Sequence, residues 1–249
     1  MGIIKAIQTA ELSASVVDHN LRKYVDLIND SIKPPVPVAA GDIVIRAMYI
    51  ISDSVNAYGG RFDRSELPSI AALFIDSPVL IGHDKSGLPV ARNFWAETVE
   101  KDGQTWIKSY FYWLKEADKN NRLKLNIDSG IYKECSVSFT YAFPECSACG
   151  GDIRACGHQI SRDIFFYYRG VDKILETSLV YRGAVPGTSI TDKLLMPESQ
   201  PNRPLSTAFY SLSPATCLPF DIAAKANANL FRARLNGDNF LLMREGGKA

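Results

Sequence analysis

Net charge is nearly missing from this chain: 28 Lys and Arg stand against 27 Asp and Glu, which leaves +1. Without a global field to draw polyanions, neither nucleic acid nor an anionic membrane surface is an expected partner. Long apolar runs are missing too. No stretch approaches the roughly 18 uninterrupted apolar residues of a spanning helix, and the apolar part of MGIIKAIQTAELSASVV is too short for a signal peptide. These absences predict a cytoplasmic protein that crosses no membrane. Internal repeats and low-complexity tracts are absent as well. Histidine is scarce, with three residues, so candidates for a general base are few. Five cysteines are an odd number, and three crowd between residues 146 and 156, which suits a metal site better than a disulfide framework.

What is present is an ordinary globular composition, 46% hydrophobic and 22% charged, over 249 residues. That is enough chain for a substantial core, in one large domain or two small ones. Leu12, Val16, Leu21, Val25, Ile28 and Ile32 recur near helical spacing until Lys33-Pro34-Pro35 stops them, which predicts a helical segment within residues 1–37. Ile43 to Ile51 reads as a strand, followed by a turn-prone stretch to Gly60, and Glu66 to Phe74 as a short helix. The run Pro78-Val-Leu-Ile-Gly82 delivers His83 at its end. Strands at Phe94 to Glu100 and Thr105 to Trp113 flank Lys101-Asp102-Gly103, a hairpin turn, and a helix is expected from Lys115 to Ile127.

Lys133 to Phe143 alternates, with Cys135, Val137, Phe139 and Tyr141 opposing Glu134, Ser136, Ser138 and Thr140. Ile174 to Tyr181 alternates too, and its polar side carries Glu176. After about residue 190, Pro197, Pro201, Pro204, Pro214 and Pro219 rule out central strands. The organisation expected is therefore a helical segment at 1–37, a body at 38–190, and a Pro-rich arm at 191–249 that ends in a helix from Phe220 to Leu235.

Cys146, Cys149, Cys156 and His158 form a CxxC arm and a CxH arm within thirteen residues. Paired ligands two or three residues apart bite one tetrahedral ion across a tight turn, so a closed Cys₃His zinc site is expected in an insertion at 144–160. A closed site offers no open position for water and reads as a structural staple; unmetallated cysteines are the alternative. Cys135 and Cys217 read as buried small hydrophobes.

With His158 claimed by the knuckle and His19 in the N-terminal helix, His83 is the candidate base. Ser136 lies on the open face of its strand, and Glu176 is a carboxylate able to hold an imidazole, or an ordinary solvated one. Asn56-Ala-Tyr-Gly-Gly-Arg-Phe62, then PVLIGHD (78–84), Leu88-Pro-Val-Ala-Arg92, Glu134-Cys-Ser-Val-Ser-Phe139 and Leu175-Glu-Thr-Ser-Leu-Val180 occur in that order. Together they resemble the landmarks of phage prohead proteases, a family similar in fold to the herpesvirus assembly proteases.

The resemblance spans roughly residues 40 to 190. It implies a serine endopeptidase with Ser136 as nucleophile, His83 as base and Glu176 as third member. Where the family often has Gly two residues after the serine, this chain has Ser138, so Ser136 and Ser138 both stay open as nucleophile. Arg182, shortly after the third member, is implied as an oxyanion donor; Asp84 is a rival orienting carboxylate.

The fold expected is α+β, a mostly antiparallel closed or strongly curved β-sheet with flanking helices and a zinc-knuckle insertion. Phage capsid and scaffold proteins are the implied substrates, inside an assembling prohead in the bacterial cytoplasm, and a homodimer is suggested. The competing expectation is a catalytically inactive capsid-assembly or scaffold-like module with a structural zinc. A zinc-dependent DNA-binding protein is disfavoured by the charge balance.

Overall fold

The computed structural model describes residues 21–194, 233–236 and 239–242. The chain divides into two units, Met1–Leu195 and Met196–Ala249.

In the first unit a helix, α1 (residues 21–32), buries Tyr24 and Ile28. Tyr24 stacks on Tyr110, with ring centroids 6.0 Å apart, and meets Phe94 edge-on. The part of the expected helix that precedes residue 21, with His19, lies outside the described residues.

Strands β1 (Ile43–Ser52), β4 (Ala91–Lys101) and β5 (Gln104–Leu114) form the middle of a seven-stranded sheet. β1 and β5 are rich in β-branched and aromatic residues and buried over nearly their whole length, as strands covered on both faces must be. The turn between β4 and β5 puts Asp102 and Gly103 at φ 53° and 75°, the type I′ geometry that an Asp-Gly pair favours.

β2 (Gly60–Arg61), β3 (Pro78–Ile81), β6 (Glu134–Thr140), β7 (Phe143–Cys146), β8 (Phe166–Arg169), β9 (Lys173–Val180) and β10 (Ser189–Thr191) complete the first unit's strands. The large sheet runs β10-β1-β5-β4-β3-β9-β6, and a second sheet runs β2-β8-β7. The helix α2 (Leu67–Ala72) packs Leu67 and Ile70 into a core with Met48, Ile51, Phe74, Ile107 and Phe111.

The expected closed or strongly curved sheet is corrected. The sheet is open: its outer strands β10 and β6 share no ladder, and the one hydrogen bond from Ile190 N–H to Lys133 O, 3.1 Å, starts none. Most of its ladders are antiparallel, but the sheet is mixed, because β3 runs parallel to β9; in the second sheet β2 runs parallel to β8. Three residues of β10 offer too short an edge to close a sheet of this size.

Helices are few. The helix expected from Lys115 shortens to a 3₁₀ turn at Lys119–Asn121 and α3 (Arg122–Asp128). Asn120 and Asn121 adopt φ of 59° and 52°, which breaks the helical run, and the Asp118 carboxylate accepts from the Leu123 and Lys124 amides instead. The expected strand from Lys133 to Phe143 likewise divides into β6 and β7.

In the second unit β11 (Ala233–Asn236) and β12 (Asn239–Leu242) pair antiparallel. The expected terminal helix therefore does not extend through Leu235. Its residues 220–232, the prolines of the arm and Cys217 lie outside the described residues.

Candidate active site and metal centre

Three neighbouring strands of the large sheet, β3, β9 and β6, meet at a polar cluster. β3 ends at Ile81, and Gly82 and His83 follow with φ of 63° and 59°. Left-handed backbone costs a non-glycine residue roughly 1 kcal/mol. It turns the chain out of the strand, and the His83 side chain meets β9. There Glu176 and Ser178, two residues apart, share one face of the pleat.

The His83 Nδ1 lies 2.6 Å from Glu176 Oε1. Ser138 donates its hydroxyl to the same oxygen, and Ser178 donates to Glu176 Oε2 at 2.9 Å. The His83 amide in turn donates to Ser178 Oγ, 3.0 Å away.

Glu176 is 2% exposed. Burial alone would raise its pKa, but hydrogen bonds from His83, Ser138 and Ser178 and the attraction of the imidazole outweigh it, so the carboxyl sits below its ordinary range. An ionised carboxylate only accepts, so Nδ1 carries the proton and Nε2 is left as the basic nitrogen of the neutral ring. About a third of the His83 side chain is exposed.

The β6–β9 register sets the two candidate serines apart. Ser138 stands opposite Glu176 and Ser136 stands opposite Ser178, and directly opposed residues share a face of the sheet. A register shift between Ser138 and Phe139 interrupts the regular pairing just beyond them. Ser138 Oγ lies 3.4 Å from His83 Nδ1. Among the described residues no hydrogen bond joins Ser136 to His83.

Asp84 is turned away: its carboxylate accepts the amide and hydroxyl of Ser86 at 2.9 and 2.6 Å, which lowers its pKa. Arg182 is exposed just beyond β9. The loop that carries it is tied to β6 by the Gly183 amide, which donates to Glu134 Oε2 at 2.7 Å. Gly183 has no room for a side chain, since a Cβ there would meet Thr188 Oγ1 at 2.1 Å and Cys135 O at 2.5 Å. Cys135 itself is fully buried, which pushes its thiol well up from the usual range.

Ser178 is the member that the sequence reading left without a role. Its signal was the period-two spacing from Glu176, but its partner is a backbone amide 95 residues away.

The second cluster sits between β7 and β8. The Cys146 amide donates to Gly151 O at 2.7 Å and the Gly150 amide to Cys146 O at 2.9 Å, closing a tight turn that Gly150 permits at φ 72°. The ligand atoms of Cys146, Cys149, Cys156 and His158 all lie within 4.8 Å of one another. Cys146 Sγ and His158 Nδ1 are 3.7 Å apart, close to the edge of about 3.7 Å in a tetrahedron with metal–sulfur bonds of about 2.3 Å. Burial disfavours the Cys146 thiolate, but amide donors from Ala148 and Cys149 outweigh it and lower that thiol's pKa. Four convergent soft donors could hold a metal ion.

The second sheet carries this loop and is tied to the rest of the unit. Asn56 accepts from the Tyr58 and Gly60 amides at 2.9 and 3.0 Å and donates to the Tyr168 hydroxyl at 2.9 Å. Arg169 spans Asp63 and Glu66, both at 2.8 Å, and Glu145 at 3.1 Å.

No helix among the described residues is long and apolar enough to cross a membrane. Compared with protein-family models, curated proteins and solved structures, the chain matches none.

Proposed function

We propose that the chain is a serine endopeptidase in which Ser136 is the nucleophile, His83 the general base and Glu176 the carboxylate that orients it. The observation that carries this reading is the 2.6 Å contact between His83 Nδ1 and a buried Glu176 supplied with two serine donors. A carboxylate held in this way keeps the imidazole in the tautomer that can take a proton at Nε2 and stabilises the imidazolium that results.

The Ser136 hydroxyl attacks the scissile carbonyl carbon and its proton passes to His83 Nε2. The imidazolium returns that proton to the departing amine as the C–N bond breaks, and water then hydrolyses the acyl-enzyme with His83 again as base. Arg182 is the candidate for the oxyanion. The ordered landmarks from Asn56 to Val180 favour scaffold and capsid proteins of a phage prohead as substrates, with maturation in the bacterial cytoplasm and a homodimer as the acting form.

Zinc is the metal proposed for Cys146, Cys149, Cys156 and His158. Three thiolates and an imidazole suit it, and a closed four-ligand site stabilises the loop between β7 and β8 without taking part in hydrolysis.

A second reading is favoured by one observation, that Ser136 makes no hydrogen bond to His83 among the described residues. In it the fold serves as an inactive assembly module. A fluorophosphonate probe separates the two: it labels wild-type protein and not the Ser136→Ala variant if the chain is a serine hydrolase. Wild-type protein that resists the probe and leaves co-expressed scaffold intact would overturn that reading.

A further inference from the structure

We infer that Ser178 is a positioning residue of the candidate site, which couples the backbone of the base to the carboxylate that orients it; this rests on the hydrolase reading above.

Ser178 is fully buried in β9, and its one hydroxyl does two jobs. It accepts the His83 amide at 3.0 Å and donates to Glu176 Oε2 at 2.9 Å. The imidazole of the same residue reaches the other oxygen, Oε1, at 2.6 Å. A ring of contacts results: His83 backbone to Ser178, Ser178 to Glu176, Glu176 to the His83 side chain.

Such a ring determines both ends of one residue. His83 leaves β3 in the left-handed region, φ 59°, which residues other than glycine adopt sparsely and at some cost. The Leu80–Ser178 pairing in the parallel β3–β9 ladder brings the hydroxyl beneath the departing chain. Remove the hydroxyl, and a half-buried amide and a buried carboxylate oxygen each lose a partner at once. The imidazole is then tethered at one end only.

Ser138 provides the internal comparison. Its hydroxyl also reaches Glu176, but at Oε1 and from β6, and it makes no hydrogen bond to the His83 backbone among the described residues. Loss of Ser138 removes one donor to the carboxylate. Loss of Ser178 removes a donor and the backbone anchor together.

The test measures turnover of a cleavable scaffold-derived peptide and the rate of fluorophosphonate labelling for wild type, Ser178→Ala, Ser178→Cys and Ser138→Ala. Misplacing a catalytic group by about 1 Å costs roughly 100-fold, so kcat in both Ser178 variants should fall by about 10- to 100-fold with KM within about twofold, and by more than in Ser138→Ala. The thiol of Ser178→Cys fills nearly the same volume but donates weakly, so this variant decides the matter where the alanine variant does not fold. The downfield proton resonance of His83 Nδ1–H should weaken in Ser178→Cys and persist in Ser138→Ala. Wild-type turnover with unchanged kcat and an unchanged resonance in Ser178→Cys would overturn the positioning role and leave the hydrolase reading standing. Wild-type protein that neither labels nor cleaves would overturn both.

Discussion

The Ser138 hydroxyl stands 3.4 Å from His83 Nδ1, on the side of the imidazole that Glu176 already occupies. Its hydrogen is directed to Glu176 Oε1, so no basic nitrogen faces it. Nε2, the atom able to take a proton from a nucleophile, lies across the ring. Ser138 thus belongs to the carboxylate's surroundings, and Ser136 stays the nucleophile proposed above.

Replacing Ser138 is therefore expected to slow the reaction without ending it. Ser138→Gly, the residue that the resembling family often carries there, should keep fluorophosphonate labelling within about tenfold of wild type, since one donor of several is lost. Labelling that survives Ser136→Ala but vanishes in Ser138→Gly would reverse the two assignments.

Glu176→Gln should do far more damage. An amide at this position can donate to the ring and so favour the tautomer with the proton on Nε2, the wrong one for a base. Loss of this kind costs about 10⁴-fold in kcat in serine proteases of known mechanism. Turnover within tenfold of wild type, with the thermal midpoint preserved, would remove Glu176 from the centre.

The cysteine loop calls for metal analysis of protein purified without added metal. About one zinc per chain is expected, and its removal by a chelator should lower the thermal midpoint, because metal bound to the folded loop is folding free energy. Cys149→Ser should lower both metal content and midpoint. Metal-free protein that melts with the untreated sample would dismiss the structural role.

Arg169 makes a pH-dependent contribution to stability. Its guanidinium, with help from Ser65, holds the Asp63 carboxyl at about 2, below the 3.8 of an unperturbed aspartate. A carboxyl depressed on folding stabilises fully above its unfolded pKa, and that contribution is lost as pH falls through the folded one. The loss should run from about pH 4 to about pH 2, and Arg169→Met should flatten it. Urea unfolding measured across that range checks this; equal slopes for the two proteins would contradict it.

The candidate site and the fold were legible to different depths. Asp102-Gly103 announced its hairpin because the two residues carry their turn geometry themselves. Cys146, Cys149, Cys156 and His158 were legible for a related reason: all four ligands lie within one loop, so spacing alone brings them near. His83 could be named by elimination among three histidines, but its pairing with Glu176 only through ordered landmarks, since the strands that join them are far apart in the chain. Ser178 could not be assigned at all, because its partner is an amide, which every residue but proline possesses. The openness of the sheet was not legible either: strand count and alternation are the same whether or not β6 and β10 pair. Helix α3 fell short of its pattern because Asp118 satisfies two backbone amides locally and Asn120 and Asn121 turn left-handed, a competition that apolar periodicity does not register.

Glu176 and Ser178 share a strand whose side chains alternate, and both face the cluster only in the observed pairing with β3 and β6. A slip of β9 by a single residue would present Leu175, Thr177 and Leu179 to His83 and send the carboxylate to the opposite side. On the hydrolase reading proposed above, a misthreaded copy would therefore be inert rather than sluggish, and the fraction of a preparation that a fluorophosphonate labels would count the molecules that zipped correctly.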